Sequence, residues 1–172
     1  MALVACDLVG IPAAVVEEAR EQIQSSTGIP GSNVMISATH SHSGPLIPDG
    51  GARADAYGGG IETARRYGSE LPGKIAESVR LAAAKLTPAR ASFGRGHEDG
   101  VSFNRRFFLK DGTVGWNPGK LNPKIVRPAG PIDPDLPVVL FESERGEPLA
   151  TYVNFAMHQD TVGGLEASAD YA

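Results

Sequence analysis

One cysteine, Cys6, is all the sequence holds, so no internal disulfide can form and the redox compartment is left open. It lies in the apolar run Ala2-Leu3-Val4-Ala5-Cys6, which reads as the setting of a buried, inert thiol. Basic residues are scarce as well: 16 Lys and Arg against 20 Asp and Glu leave a net charge of −4. With no positive excess to neutralise phosphates, nucleic-acid binding is excluded as an expectation. No apolar run approaches the roughly 20 residues of a membrane span. There is no GxxxxGK[ST] and no GxGxxG after a strand, so the glycines do not announce a nucleotide cradle. A helical His-Glu-x-x-His is absent too, and no internal repeat or low-complexity segment is evident.

What is present suits an ordinary globular protein. Of the 172 residues, 41% are hydrophobic and 21% charged, enough for a real core. Glycine (21) and proline (13) together make up a fifth of the chain, which predicts long ordered loops. Met1 is followed at once by a core-like strand without a signal peptide, and the end at Ala-Asp-Tyr-Ala is equally abrupt. The expectation is a piece cut from a larger domain.

Residues 2–7 read as a buried strand ending in Asp7, a loop or capping carboxylate. Pro12 suits the first position of a helix whose apolar face is Ile11, Val15, Val16, Ala19 and Ile23. That helix should stop before Gly28, and residues 33–39 form a second strand, parallel to the first through a right-handed crossover. Residues 44–60 are a glycine-rich loop, read as a rim or lid over a site. A second helix over about 62–86 buries Leu71, Ile75, Val79, Ala82 and Leu86 and ends at Pro88, with Pro72 either a kink or a fresh start. Ala89–Gly94 alternates like a strand, and residues 107–116 form a hairpin with Asp111-Gly112 at its turn. Residues 117–137, with six prolines, read as an extended surface connection. Residues 137–142 and 149–156 read as paired strands around the turn Glu144–Glu147. The fold class is α/β: a mixed sheet with packed helices, forming an incomplete single domain.

The chemistry concentrates in Thr39-His40-Ser41-His42-Ser43-Gly44-Pro45, at the carboxyl end of the second strand, where ligands bind in open α/β sheets. On an extended segment, side chains at i and i+2 share a face, so both rings can address one pocket. His158 follows the last strand, making three histidines at or just beyond strand ends. Zinc takes neutral imidazole nitrogens, and catalytic sites use three protein ligands plus water. Such a site polarises a carbonyl and brings the pKa of its bound water to about 7. The His-x-His-x-Asp-His pattern of metallo-β-lactamases is not met, because Ser43-Gly44-Pro45 stands where it should continue. His97, in the polar stretch 94–99, reads as a surface residue. Asn104-Arg105-Arg106 offers forked donors that can hold a substrate oxyanion or hydroxyl.

The motif Thr39–Pro45 resembles the Thr-His-Thr-His-Ser-Gly-Pro signature of neutral/alkaline non-lysosomal ceramidases. Supporting matches follow in that family's order: Cys6-Asp7, Asn104-Arg105, Pro131-Ile132-Asp133-Pro134, Asn154-Phe155-Ala156-Met157-His158, and Ser168-Ala169-Asp170. The resemblance implies that His40 and His158 bind zinc, that His42 faces the substrate, and that Arg105 contacts it near the scissile amide. It implies hydrolysis of a ceramide-like lipid amide, a membrane-surface contact made only through that substrate, and a compartment that is often secreted or periplasmic. The family's other zinc ligands, a glutamate and a tyrosine, and its catalytic serine lie beyond the last histidine, so these 172 residues are expected to be inactive alone. Asp170 is expected in a capping or supporting role. Two alternatives stay open: a zinc hydrolase of the same fold acting on another amide or ester, and a catalytically silent binding or scaffold domain.

Overall fold

The computed structural model describes residues 1–48, 59–163 and 166–170. The chain divides into two compact units, Met1–Leu86 with Gln159–Ala172, and Thr87–His158.

In the first unit, β1 (Ala2–Cys6) and β2 (Val34–Ala38) pair in parallel with Val4 opposite Ile36 and Cys6 opposite Ala38. Between them runs α1 (Ala13–Thr27), followed by a 3-10 turn at Gly31–Asn33. Pro12 is the N-cap residue of α1 and not its first helical residue. Gly28 ends the helix at φ 73°, a left-handed conformation glycine adopts without a Cβ penalty, and its N–H donates to the Gln24 carbonyl. The Arg20 guanidinium donates from Nε and Nη2 to the Val34 carbonyl at 3.0 and 2.9 Å, which ties α1 to the start of β2. The strands were expected to be buried throughout. Instead their burial alternates: Val4 and Ile36 face the helices, while Leu3 and Met35, partners in the register, face outward and are exposed.

The second helix, α2 (Glu62–Ala83), is continuous, with Pro72 buried inside it. Proline forfeits the bond to the carbonyl four residues earlier and crowds it. The residue at that position is Gly68, where a Cβ would lie 3.2 Å from Pro48, so glycine also admits the loop. Leu71, Ile75, Ala76 and Val79 of α2 join Ala19, Ile23, Leu8, Val34 and Ile47 in one core. Each fully buried aliphatic side chain of this kind contributes about 1.5–3 kcal/mol. Ala82 and Leu86, expected in that stripe, are exposed: Leu86 lies beyond the helix end at Ala83, and Ala82, in its last turn, is not part of the core. Of the loop read as a rim or lid, residues 49–58 lie outside the described residues.

The second unit holds two antiparallel sheets. One has the order β3 (Ala89–His97), β7 (Asp135–Ser143), β8 (Pro148–Val153). The other has β5 (Val114–Trp116), β4 (Arg106–Leu109), β6 (Ile125–Pro128). The β4–β5 hairpin turns as expected at Asp111-Gly112, with Gly112 at φ 82°. Asp111 Oδ1 accepts from the Thr113 hydroxyl and amide, and these bonds hold its carboxyl below the usual carboxylate range. Strand β6 corrects the expectation of a plain surface connection over 117–137. Its prolines suppress the strand signal, yet Pro128 sits at the strand's end, where the next bond to β4 is donated by the Ala129 amide to the Arg106 carbonyl at 2.8 Å, and Arg127 packs over the Phe108 ring at 4.3 Å. Strand β8 closes at Val153, short of the expected 156. The fold class is α/β as expected, with parallel and antiparallel pairings divided among three sheets. Among the described residues, no helix is long and apolar enough to cross a membrane.

Candidate metal centre

Strand β2 ends at Ala38, but its backbone keeps pairing with the segment after β1. Thr39 N–H donates to the Cys6 carbonyl and His40 N–H to the Leu8 carbonyl, each at 3.0 Å. At His40 the chain turns, with φ 68°, a left-handed conformation uncommon outside glycine. The i, i+2 argument from an extended strand therefore does not apply to His40 and His42. The turn brings their rings together instead, edge to face, with centroids 5.0 Å apart.

The bend is held from below and from the side. Gly44 passes so close to Asp7 that a Cβ there would lie 2.1 Å from the Asp7 carbonyl oxygen. Only glycine fits, which gives the Ser-Gly-Pro part of the motif its physical reason. Ser41, between the two histidines, is fully buried and donates to the Ser168 carbonyl at 3.0 Å. Ser43 donates to the same carbonyl at 3.3 Å. The Ser168 hydroxyl accepts from the Asp170 amide, and the Asp170 carboxylate accepts from the Thr161 amide and hydroxyl and from the Val162 amide. A continuous chain of hydrogen bonds thus runs from the His-x-His turn to residues 161–162. Asp170 serves it as an acceptor, the supporting role expected of it.

His40 Nδ1 lies 2.6 Å from the Val9 carbonyl. A carbonyl only accepts, so Nδ1 carries the proton and Nε2 keeps its lone pair. That is the tautomer a metal ligand needs, fixed by an outer partner. His42 Nδ1 lies 4.0 Å from Asp160 Oδ1, with both side chains partly open to water. His158 is the junction residue, peptide-bonded to Gln159, which is buried in the first unit. One nitrogen from each of His40, His42 and His158 lies within 4.8 Å of the others. Such a group of nitrogens could hold a metal ion, which zinc would bond at 2.0–2.1 Å. Three imidazoles, one already in the ligand tautomer, fit a borderline-soft divalent ion.

Arg105, half-buried in the second unit, has its guanidinium carbon 5.4 Å from the Trp116 ring centre, while Arg106 begins β4 and is exposed. His97 is exposed as expected, at the end of β3 and not in a loop, with Asp99 3.5 Å away. Cys6 is half-buried; burial first, and the neighbouring Asp7 charge second, push its thiol up. Asp7 accepts from the Thr39 hydroxyl at 3.1 Å, as a loop carboxylate would. Sequence reasoning passed over Asp160 and the Val9 carbonyl, for which the chain offers no motif.

Two solved structures are similar to this chain in fold. Neutral ceramidase from Pseudomonas aeruginosa matches 96% of the chain with a TM-score of 0.66 at 24% identity. A ceramidase complexed with C2 matches 96% with a TM-score of 0.69 at 25% identity. The fold is that of neutral ceramidase. The likeness read from the His-x-His motif is therefore met in the backbone. The chain spans 25% of the length of each of those ceramidases. No family model and no curated protein matches the sequence.

Proposed function

We propose that this chain is the metal-binding part of a zinc-dependent amide hydrolase, residues 1–172 being a portion of a ceramidase-like catalytic domain. The observation that carries this reading is the convergence of three imidazole nitrogens within 4.8 Å on a ceramidase fold. His40 and His158 are the proposed ligands. When bound, zinc supplies Lewis-acid polarisation of a carbonyl and a water whose pKa is about 7. The remaining work belongs to side chains. Val9 holds the His40 proton away from the metal face. Arg105, steadied against Trp116, presents donors that suit a substrate carbonyl or hydroxyl. For His42, the resemblance supports a place beside the substrate.

The proposed substrate is an N-acyl sphingoid or similar lipid amide, cleaved to the amine and the fatty acid. Its proposed setting is secreted or periplasmic, with contact to a membrane surface only through that substrate. The 172 residues alone are proposed to bind metal without turnover, since they span a quarter of a ceramidase. Zinc titration of the purified chain tests the reading. Binding should raise stability by about 2.7 kcal/mol at a hundredfold excess over Kd. A Tm that does not move with zinc, in a preparation free of bound metal, counts against the hydrolase and favours a silent domain. His40→Ala and His158→Ala should each weaken binding, and His97→Ala should not; equal effects from all three would mean the site is misplaced.

A further inference from the structure

In place of a membrane contact made only through the substrate, we infer that the β5–β4–β6 sheet of the second unit docks directly on an anionic lipid surface. The inference stands apart from the metal reading above and needs no ion. Six of the 16 basic residues lie between Arg105 and Arg127, and Asp111 is the only acid within that segment. The segment therefore carries +5 in a chain whose net charge is −4, which leaves −9 on the rest. None of the six basic side chains enters an ion pair among the described residues. Asp111 is itself turned onto the Thr113 amide and hydroxyl. Like charges gathered on one small sheet raise a positive potential that suits an anionic partner.

Apolar groups accompany the charge. Cross-strand partners share a face, so Arg106, Phe108, Val114, Trp116 and Arg127 lie on one side of the sheet. Phe107, Leu109 and Ile125 occupy the other side and are half-buried. On the open side, Trp116 is 66% and Val114 43% exposed. The Arg105 and Arg127 guanidiniums lie 5.4 and 4.3 Å from the Trp116 and Phe108 ring centres, so cation and aromatic area share one surface. The turn between β5 and β6 adds Leu121, 99% exposed between Lys120 and Lys124. That turn is held locally: the Asn122 side chain donates to the Pro118 carbonyl at 2.6 Å and accepts from the Lys124 amide at 2.9 Å. A nucleic-acid duplex would draw the charges but offers Val114 and Leu121 no apolar layer. The interface of an anionic bilayer answers both, with basic side chains at the headgroups and tryptophan at the apolar boundary.

Co-sedimentation of the 172-residue chain, without added metal, tests this with vesicles of equal parts phosphatidylcholine and phosphatidylglycerol. The chain should bind them, ignore vesicles of phosphatidylcholine alone, and lose binding as salt is raised. Fluorescence of Trp116, the single tryptophan, should shift to the blue and be quenched by bromine-labelled acyl chains. Arg106→Gln and Arg127→Gln should each lower the partition coefficient about fivefold, the worth of one basic residue at such a surface. Lys85→Gln, which removes an exposed cation outside the sheet, should match the unaltered chain. Far-UV circular dichroism checks that each variant is folded. No binding, equal binding to neutral vesicles or to a short DNA duplex, an unquenched Trp116, or an equal loss in Lys85→Gln overturns the inference. Each of these leaves the metal centre to its own zinc titration, and a failed zinc titration with vesicle binding intact leaves the docking face standing.

Discussion

Gly44 is the residue at which backbone geometry decides the site. A methyl group there would stand 2.1 Å from the Asp7 carbonyl oxygen, against backbone that cannot swing aside. Gly44→Ala should therefore destabilise the first unit by about 1–3 kcal/mol or more, as overpacking does. Because α1 and α2 both belong to that unit, the loss should appear in urea unfolding followed by the helical signal at 222 nm. Cys6 makes a different prediction. Burial raises the thiol's pKa in the folded state, so the folded chain holds that proton more tightly than the unfolded chain does. The associated stability is fully present below the ordinary thiol range and is lost as pH rises through the raised value. Alkylation of Cys6 at pH 8 should be slower than that of a free thiol, and Cys6→Ser should flatten the alkaline fall in stability. An alkylation rate equal to that of a small thiol would contradict the burial argument.

At the scale of elements, legibility followed from local signals. The period of α1, its glycine stop, the parallel partner strand and the Asp111-Gly112 hairpin were all readable, because each is written within a few residues. Strand β6 was not, since Pro123 precedes and Pro128 ends a four-residue strand whose partner, β4, lies elsewhere in the chain. The exposure of Leu86 was missed for a related reason: apolar spacing says where a stripe points and not where the helix stops. The hairpin turn gives the element-scale test. Gly112 at φ 82° should resist Gly112→Ala by about 1–2 kcal/mol. Trp116, the single tryptophan, sits in β5 of that hairpin, so its fluorescence should report the loss while the helical signal of the other unit stays put.

Across the whole molecule, the site was half legible. The three histidines announced themselves by type and by their places at or beyond strand ends. Their support did not: a serine hydroxyl donating to a carbonyl 127 residues away leaves no local pattern. Neither does a carboxylate such as Asp160, which becomes meaningful only once His42 stands beside it. Ser41→Ala and Asp170→Ala should therefore weaken zinc binding through loss of this bracing. The α1–α2 core, which makes none of these bonds, should keep its unfolding free energy to within about 1 kcal/mol in Asp170→Ala.

The bond from Ser41 to Ser168 also sets an order of events during synthesis. The His-x-His turn leaves the ribosome early, but its brace lies 127 residues later. At roughly 5–20 residues per second, the turn must wait about 6–25 seconds before Ser168 has even been made. Closing so long a loop is also entropically unfavourable, so the turn should be among the last parts of the first unit to settle. During that interval a nascent chain would expose two neighbouring imidazoles to any metal ion it meets, before the geometry that makes them selective exists.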